Sequence, residues 1–205
     1  MNEPINNIDQ IRENLVFDNE DDFYQIQIIK RRKENPGLKN NAKVVKEYYA
    51  YSLEYYDEIS QELRDICLAT RSRVYINLNV RSFKNAAFAT LELMITHLHS
   101  GDYKSVRASY TKSASSRTSR KRAQWLIDFD KNEGETEDQF RDRKQDFAYA
   151  LMGFKVQIIN SLHTPNGIHF IVAPFDRVKF FEKNPAFDIY NIKKNSPTIL
   201  FSPIY

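Results

Sequence analysis

The chain has 205 residues, which is long enough for one domain with a hydrophobic core of its own. Its charged fraction of 28% and hydrophobic fraction of 41% are ordinary for a soluble globular protein, and the net charge is only +3. No apolar stretch approaches the roughly 18 residues of a membrane helix, and the polar, acidic residues 1–13 do not resemble a signal peptide. The single cysteine, Cys67, excludes an intramolecular disulfide and a cysteine-based zinc site. We therefore expect a cytoplasmic protein with no membrane partner.

Hydrophobic periodicity and turn residues predict alternating strands and helices after a polar, loosely ordered lead-in at residues 1–22. In chain order, the first half contains strands at 23–33 and 44–51, a helix at 53–69, a strand at 73–79 and a helix at 83–99. The second half contains a strand at 124–130, a helix from about 136 to 152, strands at 155–162 and 168–173, a helix at 175–183, and strands at 187–192 and 198–201. This order predicts a single α/β (α+β) domain at residues 23–205, with a mixed β-sheet flanked by helices.

A basic segment precedes the strand at 124–130. From Lys104 to Trp125 the chain has seven basic residues and no acidic one, and serine and threonine fill the gaps. Such a segment is typical of a flexible loop that contacts a nucleic-acid phosphate backbone, with Arg117, Arg120, Lys121 and Arg122 as the candidate DNA-binding residues. A solvated surface loop is the alternative.

The strand at 124–130 ends in two aspartates. Asp128 and Asp130 are two positions apart, so in an extended strand both carboxylates lie on one face. Two like charges on one face favour a divalent cation between them, and oxygen ligands suit Mg²⁺ or Mn²⁺. Two solvated aspartates at the end of a strand are the alternative.

Two later strands also carry ionisable residues. The turn Pro165-Asn166-Gly167 leads into an apolar strand with His169 near its start, and Asp188 lies inside the apolar strand at 187–192. A charged side chain in or beside an apolar strand is either solvated or functional. A structural role is the alternative for the histidine.

These residues resemble the motifs of the archaeo-eukaryotic primase superfamily, and in particular of its primase-polymerase branch. The family has a hydrophobic strand ending in Asp-x-Asp, a small-x-His motif after a glycine-containing turn, and a hydrophobic-acidic strand. Here these would be residues 126–130, Gly167-Ile168-His169 and Phe187-Asp188, and the segment Val74–Arg81 resembles the strand before the first motif. The resemblance covers residues 73 to about 203.

The resemblance implies a DNA primase or primase-polymerase-like nucleotidyltransferase that joins nucleotides on a DNA template by two-metal phosphoryl transfer. Asp128, Asp130 and Asp188 would be the catalytic and metal-binding residues, with Mg²⁺ or Mn²⁺ as the cofactor. The nucleoside triphosphate would contact His169, Lys193, Lys194, Asn79 and Arg81. His163 lies six residues before His169, but only His169 has a glycine two positions before it.

Unlike many members of the family, these 205 residues contain no cysteine/histidine zinc module, and we expect no fused helicase segment. The expected partners are single-stranded or template DNA, nucleoside triphosphates and a separate replicative helicase. Two other functions remain open: a non-catalytic nucleic-acid-binding relative, and a metal-dependent nuclease or phosphohydrolase that uses the same carboxylates.

Overall fold

The fold is described by a computed structural model that covers residues 4–116, 119–187 and 192–203. The first half of the chain forms β1 (Ile5–Asn6), α1 (Ile8–Arg12), β2 (Asp22–Arg31), β3 (Ala42–Ala50), α2 (Leu53–Thr70), β4 (Arg73–Ile76), β5 (Arg81–Ser82) and α3 (Phe83–His99). The second half forms α4 (Tyr103–Val106), α5 (Ser109–Ser115), β6 (Trp125–Asp130), α6 (Glu137–Gly153), β7 (Ile158–Thr164), β8 (Gly167–Val172), α7 (Arg177–Lys183), β9 (Ile192–Lys193) and β10 (Thr198–Ser202).

The strands form two sheets. The larger sheet has the order β1-β10-β4-β2-β3, with β5 pairing beside one end of β2, and the smaller sheet has the order β7-β8-β6-β9. Each neighbouring pair within the described residues is antiparallel. The prediction of an α/β protein with helices flanking strands is confirmed. The prediction of one mixed sheet is wrong, because the strands after residue 124 pair mostly with each other.

The side chains of the smaller sheet alternate between two cores. Ile127 and Phe129 of β6 pack with Phe147 of α6 and Phe180 of α7 in one core. Leu126, on the opposite face of β6, packs in the other core with residues of the larger sheet and α2. Asp128 and Asp130 share the strand parity of Leu126, so they lie on the face that is turned toward the larger sheet.

Local signals explain where the long helices begin. Ser52 caps α2 by accepting a hydrogen bond from the backbone N–H of Tyr55 at 3.1 Å. Thr136 and Gln139 form a reciprocal capping box at the start of α6. These helix starts agree with the sequence prediction.

The N-terminal segment departs from the prediction. Residues 1–22 were expected to be a loosely ordered lead-in, but β1 pairs with β10, and Ile8 and Ile11 of α1 are buried in the core with the larger sheet. Asn7 is also buried, and its side-chain amide donates to the carbonyl oxygens of His163 and Ile199, each at 2.9 Å. The polar composition of the segment did not predict this packing, because it depends on two buried isoleucines and on one asparagine whose side-chain amide is hydrogen-bonded.

The basic segment also departs from the prediction. Part of the expected flexible loop is helical, as α4 and α5, and both helices pack against α3. Ser109, Ser113 and Ala114 of α5 are buried there, so small residues that suggested a loop serve as a close-packed helix face.

None of the helices in the described part of the chain is long and apolar enough to cross a membrane.

Candidate active site between the two sheets

Asp128 and His169 form the centre of the candidate site. They are direct cross-strand partners on β6 and β8, so their side chains emerge side by side on the face toward the larger sheet. The Nε2 atom of His169 lies 3.2 Å from Oδ1 of Asp128. The two motifs that the sequence separates by about forty residues therefore meet at one point.

Gly167 allows these two strands to approach each other closely. It pairs with Asp130, and a Cβ atom added to it would lie 2.3 Å from the carbonyl oxygen of Phe129 and 2.8 Å from the Cα atom of Asp130. Both neighbours are backbone atoms and cannot rotate away. This contact explains why a residue without a side chain stands two positions before His169.

The larger sheet fixes the orientation of the His169 ring. Nδ1 of His169 lies 2.8 Å from Oγ1 of Thr198, the first residue of β10, which is 1% exposed. When Nε2 donates to Asp128, Nδ1 of a neutral ring accepts a hydrogen bond from the Thr198 hydroxyl group, whereas a protonated ring donates at both nitrogens. In either state the ring joins the two sheets across the cleft. The sequence analysis missed Thr198, because only the fold brings β10 beside β8.

Lys193 contacts the other oxygen of the same carboxylate. Its Nζ atom donates to Oδ2 of Asp128, from β9, which pairs with β6. The hydrogen bond from His169 lowers the pKa of Asp128 to about 2, and Lys193 acts in the same direction against the opposing effect of burial. Asp128 is therefore a stable carboxylate at neutral pH.

Asp130 has a different environment. It lies at the exposed end of β6, and within the described residues its carboxylate makes neither a hydrogen bond nor an ion pair. Partial burial of the carboxyl group raises the pKa of Asp130, and the negative charge of Asp128 raises it further. The sheet thus places on the same face one carboxylate that is ion-paired and one that makes no ion pair within the described residues.

Two predicted nucleotide-binding residues are buried beside the site. The side-chain oxygen of Asn79 accepts a hydrogen bond from the backbone N–H of Gln124 at 2.7 Å, and this bond ties the β4–β5 connection to the start of β6. Arg81 is 0% exposed, and its guanidinium donates to the carbonyl of Ser116, to Oγ of Ser119 and to Oδ1 of Asn195. Burial lowers the pKa of Arg81 to about 10, and the positive charge of Arg120 adds to this effect.

The remaining basic residues near the site have varied partners. Nζ of Lys194 lies 4.7 Å from the centre of the Trp125 ring, and its carbonyl accepts a hydrogen bond from Arg120 at 3.3 Å. Lys121 is ion-paired with the fully buried Asp22, and Arg122 with Asp18 at 2.8 Å. The expected phosphate-binding side chains thus have partners inside the protein. Arg117, the fourth predicted DNA-binding residue, lies outside the described residues.

The predicted cluster of three carboxylates is described only in part. Asp188 lies outside the described residues, although β9, which begins at Ile192, pairs with β6 as the prediction required. In ranges 4–116, 119–187 and 192–203, no group of three or more His, Cys, Asp or Glu side chains is arranged to hold a metal ion. Asp128 and Asp130 are therefore the two carboxylates that the described part of the site offers.

Comparisons with protein-family models, with curated proteins and with solved structures found no match to this chain.

Proposed function

We propose that this chain is a primase-polymerase-like nucleotidyltransferase that joins nucleotides on a DNA template during DNA replication. The observation that carries the proposal is the cross-strand pair of Asp128 and His169, with Gly167 in close contact with the backbone of the Asp-x-Asp strand. This geometry supplies a physical reason for the order and spacing of the first two motifs. The nucleoside triphosphate and the template DNA are proposed partners, and a separate helicase would supply single-stranded template.

The donor atoms fit the proposed Mg²⁺ or Mn²⁺ cofactor. Asp128 and Asp130 present hard oxygen ligands on one face. Burial and the negative charge of Asp128 raise the pKa of Asp130, and the Asp130 carboxylate makes no ion pair within the described residues. Asp128 and Asp130 would hold the ion, and Asp188 would be the third ligand. When bound, the ion activates a 3′-hydroxyl group and neutralises charge on the transferred phosphate.

The protein's own side chains then bind and orient the nucleotide. Thr198 holds the His169 ring with Nε2 beside Asp128. Nε2 would donate to a phosphate oxygen once that oxygen replaces Asp128 as its acceptor. Lys193 is 44% exposed at its side chain, so its ammonium group can exchange Asp128 for an incoming phosphate without crossing the core. Lys194 would be a second phosphate contact. Asn79 and Arg81 are buried and hydrogen-bonded to other parts of the protein. To contact the nucleotide they would have to give up these hydrogen bonds.

One observation favours a second candidate, a non-catalytic nucleic-acid-binding relative. Lys193 and His169 already compensate Asp128, so the centre of the site is electrostatically complete without a metal ion. In such a protein the same residues would only hold the two sheets together.

Nucleotide incorporation on a single-stranded template with labelled nucleotides and Mn²⁺ tests the proposal. Asp130→Asn removes a carboxylate that makes neither a hydrogen bond nor an ion pair within the described residues, so incorporation should fall with little change in thermal stability. His169→Ala should lower incorporation about a hundredfold or more, because the loss of one such donor typically costs roughly 2–4 kcal/mol in the transition state.

His99→Ala is the matched control, since His99 is an exposed histidine at the end of α3, away from the candidate site. It should incorporate nucleotides at the wild-type rate. If the wild-type protein binds DNA but incorporates nothing, the non-catalytic function is correct. Degradation of DNA without nucleotides would identify a nuclease instead.

A further inference from the structure

Three depressions that share lining residues follow one another from the candidate site. The first lies at the end of β6 and is lined by Asp130, Lys144 and the turn between β7 and β8. It shares four lining residues with the second, Glu137 and residues 163–165, which has a volume of about 1220 Å³ and extends to β1 and to the turn after β2. The second shares Lys33 with the third, which is lined by residues 31–33 and Asn41. We call the three together the basic groove.

The basic groove concentrates the positive charge of the molecule. Eight of its lining residues are lysine or arginine, and three are aspartate or glutamate, which gives the groove a net charge of +5. The whole chain has a net charge of only +3, so the rest of the protein is negative by two charges. Such an uneven distribution in a concave surface attracts and orients a polyanion.

Several cations in the groove are available to a ligand. Arg73 is paired with Glu34, and Lys131 with Glu137, which is itself 85% exposed at the side chain. Arg31, Arg32, Lys33 and Lys144, by contrast, make no ion pair within the part of the chain that the structure describes. Cations without an ion pair among the described residues lie at both ends of the groove, three at and just after the end of β2 and one beside the candidate site.

The segment that the sequence singled out is a weaker site for phosphates. Lys121 and Arg122 would have to leave Asp22 and Asp18, and the fully buried Asp22 would then lose its cation. No comparable penalty applies to Arg32 or Lys33, which are exposed.

We propose that the basic groove binds the phosphodiester backbone of a nucleic-acid strand and leads one end of it to Asp130. The choice of nucleic acid among polyanions rests on the proposed function, whereas the position of the binding surface rests on the groove and its charge. The cations near β2 and Lys144 would contact phosphates, and these contacts would be insensitive to base sequence.

Titration of fluorescently labelled thirty-nucleotide oligonucleotides at several salt concentrations tests the proposal, with a single strand and a duplex as separate arms. In the groove variant, Arg32→Gln, Lys33→Gln and Lys144→Gln are combined. The matched control combines Arg177→Gln, Lys179→Gln and Lys183→Gln, which removes the same residue types from exposed positions in α7.

We expect the groove variant to bind the preferred oligonucleotide at least tenfold more weakly, and the slope of log K against log salt to fall by about two units for three lost contacts with a single strand. The control should keep the wild-type affinity and slope. The arm with the higher affinity identifies the strand form that the groove accepts.

Equal affinities of the groove variant and the wild-type protein would overturn the proposal, as would a loss of binding confined to the control. Failure of the wild-type protein to bind either oligonucleotide would also overturn it. The outcome is separable from that of the proposed function. If the protein binds through the groove but incorporates no nucleotide, the groove inference stands and the proposed function is wrong. If the protein incorporates nucleotides but the groove variant binds as tightly as the wild type, the proposed function stands and the groove inference is wrong.

Discussion

Gly167→Ala should destabilise the fold at the point where the two central motifs meet. The added Cβ atom would lie 2.3 Å from the carbonyl oxygen of Phe129 and 2.8 Å from the Cα atom of Asp130. Relief of this overlap requires β8 to move away from β6, because both neighbours are backbone atoms. Overpacking typically costs about 1–3 kcal/mol, and a weakened backbone hydrogen bond adds roughly 1 kcal/mol. We therefore expect the free energy of unfolding to fall by about 2–4 kcal/mol.

Thermal unfolding followed by circular dichroism measures this effect. For a chain of this size about 1 kcal/mol shifts the Tm by roughly 2–4 °C, so the Tm should fall by roughly 5–15 °C. Gly153→Ala is the control. Gly153 is the last residue of α6, a Cβ atom added to it would meet no neighbouring atom within 4 Å, and alanine there should be neutral or stabilising by up to about 1 kcal/mol. If both variants unfold at the same temperature, the close contact between β6 and β8 is not what requires a glycine.

Two further predictions concern the charged groups of the site. Asp128→Asn should lower the stability by about 1–2 kcal/mol at pH 7 after allowance for solvent screening. Because the folded pKa of Asp128 is about 2 and the ordinary value about 4, the stabilisation is complete above pH 4 and lost as the pH falls through 2. Denaturant titrations at pH 7, 4 and 2.5 should therefore show the deficit shrinking with pH, and a constant deficit would contradict the assigned ion pair. Arg81→Leu should cost about 2–3 kcal/mol because three acceptors lose their donor, and Arg81→Lys should restore less than half of this, since an ammonium group cannot reach all three. Arg107→Leu, at an exposed position, is the control in the same melting assay and should change the stability by less than about 0.5 kcal/mol.

Local patterns predicted the elements whose signals lie within a few residues. The alternation of Tyr24, Ile26 and Ile28 predicted β2, and all three side chains are buried. The helix predicted at 83–99 has those bounds in the structure, because Ser82 caps its start and Gly101 follows its end. The strand predicted at 73–79 is shorter, since Asn77 and Asn79 use their side chains to hydrogen-bond each other and neighbouring backbone.

The division into two sheets could not be predicted from such patterns. Pairing of β1 with β10 joins residues nearly two hundred positions apart, and no local periodicity encodes that register. The same limit applies to the site. The motifs identified Asp128 and His169, but the contact of His169 with Thr198 depends on the approach of the two sheets.

The charge pattern of the basic segment did not predict which carboxylates its side chains pair with. The basic residues after Lys104 were expected to be free for phosphate, but the carboxylates that pair with Lys121 and Arg122 come from residues 18–22, about a hundred positions earlier. The polar lead-in supplies those carboxylates. The DNA-binding role of this segment stays a prediction.

The placement of β10 has a consequence for the order in which the protein can fold during synthesis. The smaller sheet, at residues 125–193, is interposed in the chain between the other strands of the larger sheet and β10, which fits between β1 and β4. On the ribosome, one edge of β4 therefore remains unpaired during synthesis of the whole smaller sheet. Thr198 belongs to β10, so the His169 ring gains its second hydrogen bond only when β10 joins the larger sheet. A nascent chain that already carries Asp128, Asp130 and His169 would thus lack a fixed site until β10 inserts between β1 and β4.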